Sequence, residues 1–530
     1  MPSTRLTIIS NASQNIRSTL LLPATSDLRS SVLSLAKSKL RLKKPTRIFL
    51  PGGQELATSD SISAVLADDL KLLISSGEEY VGNIAAAPRN GGDVRVVAED
   101  IFIDRNAVAQ LEACARLPGV LDAVGLPDLH PGGKFPVGCS FVSEGYLHPP
   151  LIGGDIGCGM SWYRVNMRAS IMDDATGMKR VAESLRGLEG EWAGTDERGW
   201  WLGDATAGEE WDRSVGTIGS GNHFAEVQVV EEAEGNGEYG GMKEGDVVLL
   251  VHSGSRGFGQ DVLAKFWTGD DSISLHESDP RAQEYLRLHD KACAWARRSR
   301  ELIALRFLQC LEGDVWAIPG APSQERILQT QKSLAERNIL DIHHNNVTVT
   351  LWPPSPTEEP QRNVYIHRKG AAPATLSTPF LPLPGSRGTP TLILLPLFQP
   401  STGHGAKNAL SLAHGAGRAM SRGKARTGIA GKYGGDVKVL TEMKPMNKKR
   451  GGKGGVAVGG YVVCDNQELV WEEAVEAYKD VEVVGKDLEK CGVARVVGRC
   501  VPRVTYKVRN EHQGGGRSGR TDGGERRFVS

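Results

Sequence analysis

The stretch GDIGCG at residues 154–159 restricts the fold most, because it holds a carboxylate and a thiol three residues apart between glycines. A tight, glycine-flanked loop of this kind can aim both side chains at one ion. Three further loops carry histidine beside a short apolar run: GTIGSGNHFAE at 216–226, VHSGSRG at 251–257 and LDIHHN at 340–345. Imidazole and carboxylate suit manganese, iron or zinc, and a thiolate raises the affinity for zinc as well. Each loop alone is more typical of a structural role, whereas the four together predict one mixed metal site.

The order of these loops along the chain resembles the RtcB family of RNA ligases. GNHFAE, HSGSRG and HGAGR are highly specific in combination. The resemblance implies an α+β fold class, in which an RtcB-like mixed β-sheet catalytic domain carries the site. The segments that match the family's motifs are PDLHPGGKFP at 127–136, GGDIGCGM at 153–160, GTIGSGNHFAE at 216–226, VHSGSRGFG at 251–259, HN at 344–345, HRKGA at 367–371, LPGSRGT at 383–389 and SLAHGAGRAMSR at 411–422.

The resemblance implies a nucleophile and a set of ligands for two Mn²⁺ ions. The family's guanylated residue is the His of HGAGR, here His414, whereas His404 lies in a similar segment that lacks the following Gly-Arg. Asp128 of the PDLH segment matches a family Asp expected near the metals. Of the pair His343 and His344, the second directly precedes Asn, as the family's ligand does. The implied metal ligands are Asp155, Cys158, His223, His252 and His344.

The resemblance also implies a GTP pocket. A Tyr in an A-Y-K-D segment stacks on guanine in the family, and Tyr478 matches it. A Lys near the family's C-terminus contacts the guanine edge, and Lys507 matches it. The family usually ends just after this Lys, whereas about two dozen residues follow Lys507 here. Arg387 stands where Met is common, so it is expected to alter the pocket or add a phosphate contact. The remaining pocket residues are Asn222, Glu226, Pro384, Gly385, Ser386, Gly415, Ala416 and Gly417.

The implied activity is GTP- and Mn²⁺-dependent RNA ligation through a histidine–GMP intermediate. It would join an RNA 3′-phosphate or 2′,3′-cyclic phosphate end to a 5′-hydroxyl end, in RNA repair or tRNA splicing. The DIGCGM, HHN and SLAHGAGR segments favour the bacterial-type branch of the family. The expected partner is RNA with such ends, and a protein activator is a further candidate. Two alternatives stay open: a non-catalytic, metal-bound RNA end-binding protein, and a metal-dependent phosphatase acting on cyclic phosphate.

The overall charge does not indicate a nucleic-acid-binding protein, since 63 basic and 63 acidic residues give a formal net charge of zero. Local basic residues such as Arg368, Lys369 and Lys424 are therefore expected to contact RNA. Arg418 and Arg422 are candidates for phosphate contacts, although Arg422 is more typical of a surface ion pair. The eight cysteines include no C-x-x-C pair, so neither a zinc ribbon nor a redox pair is predicted.

The chain is predicted to have two folded parts. Residues 1–80 have the pattern strand, strand, helix, strand, short helix, strand, which resembles the ubiquitin-like β-grasp fold, with an unrelated α+β cap as the alternative. Residues 81–93 are predicted to be a linker, 94–510 the catalytic domain and 511–530 a disordered tail. The sequence has neither a signal peptide nor a long apolar window. We therefore expect an intracellular protein, cytoplasmic or nuclear, with no membrane partner.

Overall fold

The chain divides into two compact units, Met1–Arg89 and Asn90–Ser530. Most of the predicted linker, 81–90, and the predicted tail, 511–530, lie outside the described residues. Within the described ranges, no helix combines the length and the apolar character needed to cross a membrane. The computed structural model describes residues 4–13, 16–22, 27–50, 54–66, 70–78, 80, 91–267, 274–316, 323–354, 361–443 and 460–508.

The smaller unit is built from β1 (Thr4–Ser10), β2 (Arg17–Leu22), α1 (Leu28–Lys39), β3 (Arg47–Phe49), α2 (Ser59–Ser63) and β4 (Leu70–Ser75). The strands lie in the order β2-β1-β4-β3, and β1 runs parallel to β4. Leu6 and Ile8 alternate along β1 and are fully buried in one cluster with Val32 and Ala36 of α1. The order of elements is the predicted one, while the β-grasp assignment stays a prediction.

The strands of the larger unit form two main sheets and two short pairs. They are β5 (Asp93–Val96), β6 (Val120–His130), β7 (Val137–Ser143), β8 (Tyr146–Leu147), β9 (Gly159–Val165), β10 (Phe224–Ala233), β11 (Val247–Ser253), β12 (Leu275–His276), β13 (Asn338–His343), β14 (Asn345–Trp352), β15 (Arg362–Lys369), β16 (Ala371–Pro373), β17 (Leu381–Pro384), β18 (Thr391–Pro396), β19 (Ser411–Ala413), β20 (Glu442–Met443), β21 (Gly460–Val463) and β22 (Ala494–Tyr506). The larger sheet has the order β13-β9-β11-β10-β22-β18-β17, with β21 joining β22 to β20. The smaller sheet has the order β14-β15-β7-β6-β5, and β8 with β12 and β16 with β19 form the short pairs.

Helices pack on both sheets. They are α3 (Arg105–Ala115), α4 (Ala169–Asp173), α5 (Ala175–Ser184), α6 (Thr195–Leu202), α7 (Glu209–Asp212), α8 (Arg256–Phe266), α9 (Pro280–Glu312), α10 (Gln324–Arg337), α11 (Arg422–Lys432), α12 (Lys438–Thr441), α13 (Gln467–Glu472) and α14 (Val481–Lys490). Helix α3 packs against the smaller sheet, and α5, α9 and α14 pack against the larger one. The central strand β11 (VVLLVHS) is buried at every residue, as expected of a strand covered on both faces. The result is a mixed α/β unit with several sheets, as the predicted fold class requires.

The longest helix, α9, brings a charged side chain into the core. Its N-cap Asp279 accepts a hydrogen bond from the Arg281 amide, and Pro280 occupies the first turn, where a missing amide N–H is not needed. The helix ends at Gly313, which has a positive φ of 72°. Arg300, on the buried face of this helix, is fully shielded from solvent. Its position matters for the site described next.

Candidate functional site

Four of the five predicted metal ligands lie at the same end of four neighbouring strands of the larger sheet. β9 begins directly after Cys158, and β10 begins directly after His223. β11 carries His252 near its end, and β13 ends immediately before His344. Because β13, β9, β11 and β10 are neighbours in the sheet, the strand ends bring together four side chains that are far apart in the sequence.

The donor atoms of the predicted ligands converge on one point. Cys158 Sγ lies 3.4 Å from His223 Nε2 and 3.3 Å from His252 Nε2. His252 Nε2 lies 3.2 Å from His344 Nε2, and Asp155 Oδ2 lies 2.8 Å from His223 Nε2. The ligand atoms of the buried trio Cys158, His223 and His252 are all within 4.8 Å of one another. This cluster can hold a metal ion.

The histidines of the cluster have lone pairs available. Burial lowers the pKa of His252 and of His344 well below the usual value, so both imidazoles are neutral. His223 Nδ1 lies 3.0 Å from the Ile218 carbonyl and donates to it, which leaves the lone pair on Nε2. Imidazole nitrogens this close need a proton or a cation between their lone pairs. The geometry therefore fits a site built around positive charge.

The thiol of Cys158 supports the same conclusion. Burial, reinforced by the nearby carboxylate of Asp155, raises the pKa of this thiol well above its usual value. A thiolate here needs a positive charge at contact distance, and a coordinated metal ion deprotonates a thiol outright. Nitrogen, oxygen and sulfur donors together accommodate manganese and zinc alike.

A buried arginine fixes the loops that carry the ligands. Arg300 donates to the carbonyl of Gly157 at 2.9 Å and to that of Ser253 at 3.0 Å. It pairs with Asp341 at 2.8 Å and contacts His343 Nδ1 at 3.2 Å. Gly157, Ser253 and His343 each adjoin a predicted metal ligand, so one guanidinium joins three segments. Sequence reasoning missed this residue, because an arginine inside a long helix carries no motif.

His414 lies beside the cluster. Its ring centroid is 4.6 Å from that of His344 and 6.4 Å from that of His252. The carboxylate oxygen Asp128 Oδ2 is 2.8 Å from His414 Nδ1 and 3.2 Å from the His414 backbone N–H. Because the carboxylate accepts the Nδ1 proton, Nε2 carries the lone pair and is the nucleophilic nitrogen. Asp128 is fully buried behind the ring.

Two glycines make room for this pair. Gly417 has a φ of 71°, and a Cβ there would be 2.4 Å from the Asp128 carbonyl oxygen. Gly370 has a φ of 62°, and a Cβ there would be 2.8 Å from His414 Cε1. A side chain at either position would displace the carboxylate or the imidazole, so both positions require glycine. The Gly370 N–H donates to the Asn345 side chain at 2.7 Å, which ties it to the residue after His344.

A buried carboxyl group lies on β10, and a buried amine lies just after the neighbouring strand β22. Glu226 accepts a hydrogen bond from Thr505 at 2.8 Å, and burial raises its pKa to about 7. Lys507 donates to the His223 carbonyl at 2.9 Å and lies 3.8 Å from Glu473. Burial lowers the pKa of Lys507 to about 8. Both side chains can form hydrogen bonds with the polar edge of a bound ligand.

Tyr478 belongs to a compact polar group. Its hydroxyl donates to Glu473, and the Arg418 guanidinium donates to Glu473 at 3.0 Å and to the hydroxyl at 3.1 Å. The guanidinium carbon also lies 5.0 Å from the centroid of the Tyr478 ring. Arg418 is thus held by the protein itself. Arg422 lies 3.7 Å from Glu473, so it has an ion-pair partner as expected, but that partner is a buried carboxylate and Arg422 lies on the cavity wall.

One arginine does not have the expected role, and a second keeps its own open. Arg368 is buried and donates to Ser411 at 2.8 Å and to Thr348 at 2.7 Å, so the expectation that it contacts RNA is wrong. Arg387 is buried, and its guanidinium donates through Nε to the Glu473 carbonyl at 2.9 Å and through Nη2 to the Val470 carbonyl. Its Nη1 has no hydrogen-bond partner among the described residues, and Arg387 lines the cavity described below, so an effect on the pocket or a phosphate contact stays a prediction.

One cavity of about 1060 Å³ contains these groups. Every predicted site residue except Asp128 lines it, including Asn222, the 384–386 loop and the 415–417 loop. Lys369 and Lys424 also line it, in keeping with the expected local basic residues, whereas His404 is not among the lining residues. Sequence reasoning did not identify Arg256 and Lys479, which add further positive charge to the wall. Arg256 could have been found, since it belongs to the HSGSRG motif.

The chain is similar to proteins of one family over most of its length. The family model described as "tRNA-splicing ligase RtcB" matches residues 110–194 and 189–508. An Escherichia coli protein named "RNA-splicing ligase RtcB2" is 32% identical over 414 residues, covering 78% of this chain and 94% of the relative. "tRNA-splicing ligase RtcB" of Aeropyrum pernix is 28% identical, covering 77% and 93%. "RNA-splicing ligase RtcB" of Mycobacterium bovis is 26% identical, covering 74% and 98%.

Proposed function

The chain belongs to the RtcB family, and we propose that it is a GTP- and Mn²⁺-dependent RNA ligase. It joins RNA 3′-phosphate or 2′,3′-cyclic phosphate ends to 5′-hydroxyl ends through a histidine–GMP intermediate, in RNA repair or tRNA splicing. The position of His414 is the observation that carries the proposal. Its ring lies 4.6 Å from that of His344, and its Nδ1 is bound to the buried carboxylate of Asp128.

In this proposal the metal ions are held by the convergent cluster. When bound, two divalent ions stabilise negative charge on phosphate oxygens. The chain's own contribution is to fix the ligands, through the strand ends and the Arg300 guanidinium. The proposed ligands are Asp155, Cys158, His223, His252 and His344.

The first proposed step uses the free nitrogen of His414. Nε2 attacks the α-phosphorus of GTP, an N–P bond forms, and the bond to the pyrophosphate oxygen breaks. The Nδ1 proton stays with the Asp128 pair, whose carboxylate stabilises the positive charge that develops on the ring. The 415–417 loop, which follows the nucleophile, lines the cavity wall, and its Ala416 N–H is tied to the Pro384 carbonyl at 3.0 Å.

The later steps transfer and release the guanylate. An oxygen of the RNA 3′-phosphate attacks the same phosphorus, and the N–P bond breaks. The 5′-hydroxyl of the second RNA end then attacks the activated 3′-phosphorus, and GMP leaves. A cyclic phosphate end is first hydrolysed to a 3′-phosphate. RNA is drawn to the cavity by Lys369 and Lys424 on its wall.

We propose that the guanine lies among the buried polar groups next to the cluster. Tyr478 offers its ring for stacking, while Glu226 and Lys507 contact the polar edge of the base. The remaining proposed contacts come from Asn222, Pro384, Gly385, Ser386, Gly415, Ala416 and Gly417. The catalytic domain is proposed to span 94–510, and the unit before it to be a β-grasp domain.

Guanylation of the protein tests the proposal. The full chain, incubated with GTP labelled at the α-phosphate and with Mn²⁺, Mg²⁺ or Zn²⁺ in parallel, should form an acid-labile adduct with Mn²⁺. His414→Ala should form none, whereas His404→Ala, which changes the similar segment, should form as much as the wild type. An RNA pair with 3′-phosphate and 5′-hydroxyl ends should then be joined. RNA binding without any adduct would favour a non-catalytic end-binding protein, and cyclic phosphate hydrolysis alone would favour a phosphatase.

A further inference from the structure

The loop before α3 exposes an aromatic ring on the cavity wall. Phe102 is 70% exposed and lines the same cavity as His414. Within the described ranges it is the one aromatic residue among the exposed large apolar side chains. Exposing a ring of this size forfeits the free energy that its burial would supply. The ring is therefore a candidate contact for a ligand in the cavity.

The residues on either side hold the ring outward. Ile101 packs against one apolar cluster and Ile103 against another. The buried carboxylate of Asp487 accepts hydrogen bonds from the backbone N–H groups of residues 99, 100 and 101 at 2.9, 3.0 and 2.9 Å. The loop is held by its backbone and by both isoleucines, so the backbone position from which the ring projects is fixed before any ligand arrives. A surface that is already ordered loses little conformational entropy on binding.

The same wall adjoins the nucleophile. Lys479 donates to the carbonyls of Pro127 and Leu129 at 2.9 and 2.8 Å, on either side of Asp128. Burial lowers the pKa of Lys479 to about 8, while the charges of Asp128 and Asp104 oppose that shift. Both carboxylates are therefore near this ammonium group, so the loop that carries Phe102 and Asp104 runs beside the segment that orients His414.

The ring and the proposed guanine contacts come from different sheets of the larger unit. The loop with Phe102 follows β5 of the five-stranded sheet, whereas Glu226 lies on β10 of the larger sheet and Lys507 directly follows its strand β22. The cavity, at about 1060 Å³, is at the upper end of the range of roughly 300–1000 Å³ typical of small-molecule sites. It has room for more than a guanylate on one wall.

We propose that Phe102 is a stacking platform for a terminal nucleobase of the RNA that is joined. This inference rests on the proposed function, since it takes RNA ends as the ligand. Every base presents a flat π-face, so a ring at this point would hold either end without regard to its sequence. The basic residues of the wall contact the backbone, and Phe102 holds the base next to the reacting phosphate.

Two labelled RNAs test the inference by binding rather than by turnover. One carries 2-aminopurine at its 3′-phosphate end and the other at its 5′-hydroxyl end, and each is titrated with the full chain and Mn²⁺ without GTP. At least one probe should be quenched by the wild type. Phe102→Ala and Phe102→Leu should abolish that quenching and weaken binding roughly 5- to 100-fold, as expected for the loss of one stacked base. Phe102→Trp should retain both.

The controls separate this inference from the proposed function. Leu376→Ala removes a side chain that is 88% exposed and outside the cavity, so RNA binding should not change. If Phe102→Ala binds both RNAs as tightly as the wild type, or if neither probe is quenched, the stacking role is overturned. The guanylation assay is read in parallel. A wild type that forms no adduct refutes the proposed function, whereas normal adduct formation with unchanged RNA binding by Phe102→Ala refutes the stacking role alone.

Discussion

Replacing Arg300 by methionine would test how the loops that carry the proposed metal ligands are held in place. Methionine fills a similar volume and has no donor, so three groups lose the guanidinium: the Asp341 carboxylate and the carbonyls of Gly157 and Ser253. All lie in the interior, where Asp341 has only 9% of its side chain exposed and Arg300 none. The variant isolates one guanidinium that joins segments far apart in the sequence.

The expected loss is large. Removing one partner of a buried ion pair costs about 3–5 kcal/mol, because the other charge stays buried without compensation. The Ser253 carbonyl also loses the guanidinium donor, whereas His343 Nδ1 remains 3.0 Å from the Gly157 carbonyl. The middle of that range and about 1 kcal/mol for one unsatisfied buried acceptor give a total of about 5 kcal/mol. A native domain is stable by about 5–15 kcal/mol. Arg300→Met should therefore leave the larger unit near the limit of folding.

Urea denaturation followed by circular dichroism measures this loss, and a matched control is available on the same helix. Arg297 is 59% exposed and pairs with Glu301 at 3.3 Å, so Arg297→Met should cost less than about 1 kcal/mol. The double variant Arg300→Met/Asp341→Leu removes both charges and should regain much of the stability.

Metal affinity separates the two roles of the guanidinium. In the double variant the carbonyls of Gly157 and Ser253 still lack the guanidinium that donated to them. Mn²⁺ binding should therefore stay roughly 10- to 100-fold weaker than in the wild type, as is typical when a hydrogen bond that orients a metal ligand is lost. Titration of the metal-free protein, with free Mn²⁺ followed by electron paramagnetic resonance, gives that value. A stable double variant with wild-type Mn²⁺ affinity would refute the view that Arg300 orders the metal loops.

Three other perturbations follow from the site. Asp128→Asn replaces the acceptor at His414 Nδ1 with an amide that can favour the wrong tautomer, so adduct formation, measured by mass spectrometry, should slow by about 10²- to 10⁴-fold; an unchanged rate would contradict the proposed orientation. Burial raises the pKa of Glu226 from 4.5 to about 7, so the wild type is stabilised by this group at low pH and loses that stability as the pH rises through 7. The free energy of unfolding of Glu226→Gln minus that of the wild type should increase by about 2–3 kcal/mol from pH 5 to pH 8. Urea denaturation that gives the same difference at both pH values would count against it. Tyr478→Ala should weaken GTP binding by roughly 5- to 100-fold while Tyr478→Phe, which keeps the ring, should not; calorimetry showing equal affinities for both variants would argue against stacking.

The sequence predicted the convergence of the candidate metal ligands because each of them comes with a local signal. Cys158, His223, His252 and His344 each adjoin an apolar strand, and a motif names each of them. Sequence alone could not show that the four strands are neighbours, which depends on pairing between distant segments. The resemblance to a family supplied that step.

Residues that act through long-range contacts were harder to predict. Arg300 carries no motif, and Lys479 lies in the A-Y-K-D segment but was given no role there. The partners of both residues are 41 or more residues away in the sequence. Arg368 looked like an RNA contact because it lies beside Lys369, yet alternation along β15 turns one side chain into the core. Burial was the missing information in each case.

The arrangement of strands at the cluster has a consequence for how such a chain can change in length. β10 leaves the cluster and β11 returns to it, so the connection at 234–246 lies at the far end of both strands. Residues inserted there leave the pairing of Phe224 with His252 untouched. A single residue inserted within β11 would instead turn the imidazole to the other side of the sheet. Length changes are therefore expected at the exposed ends of this connection, outside the buried Tyr239 and Met242, and not within the strand itself.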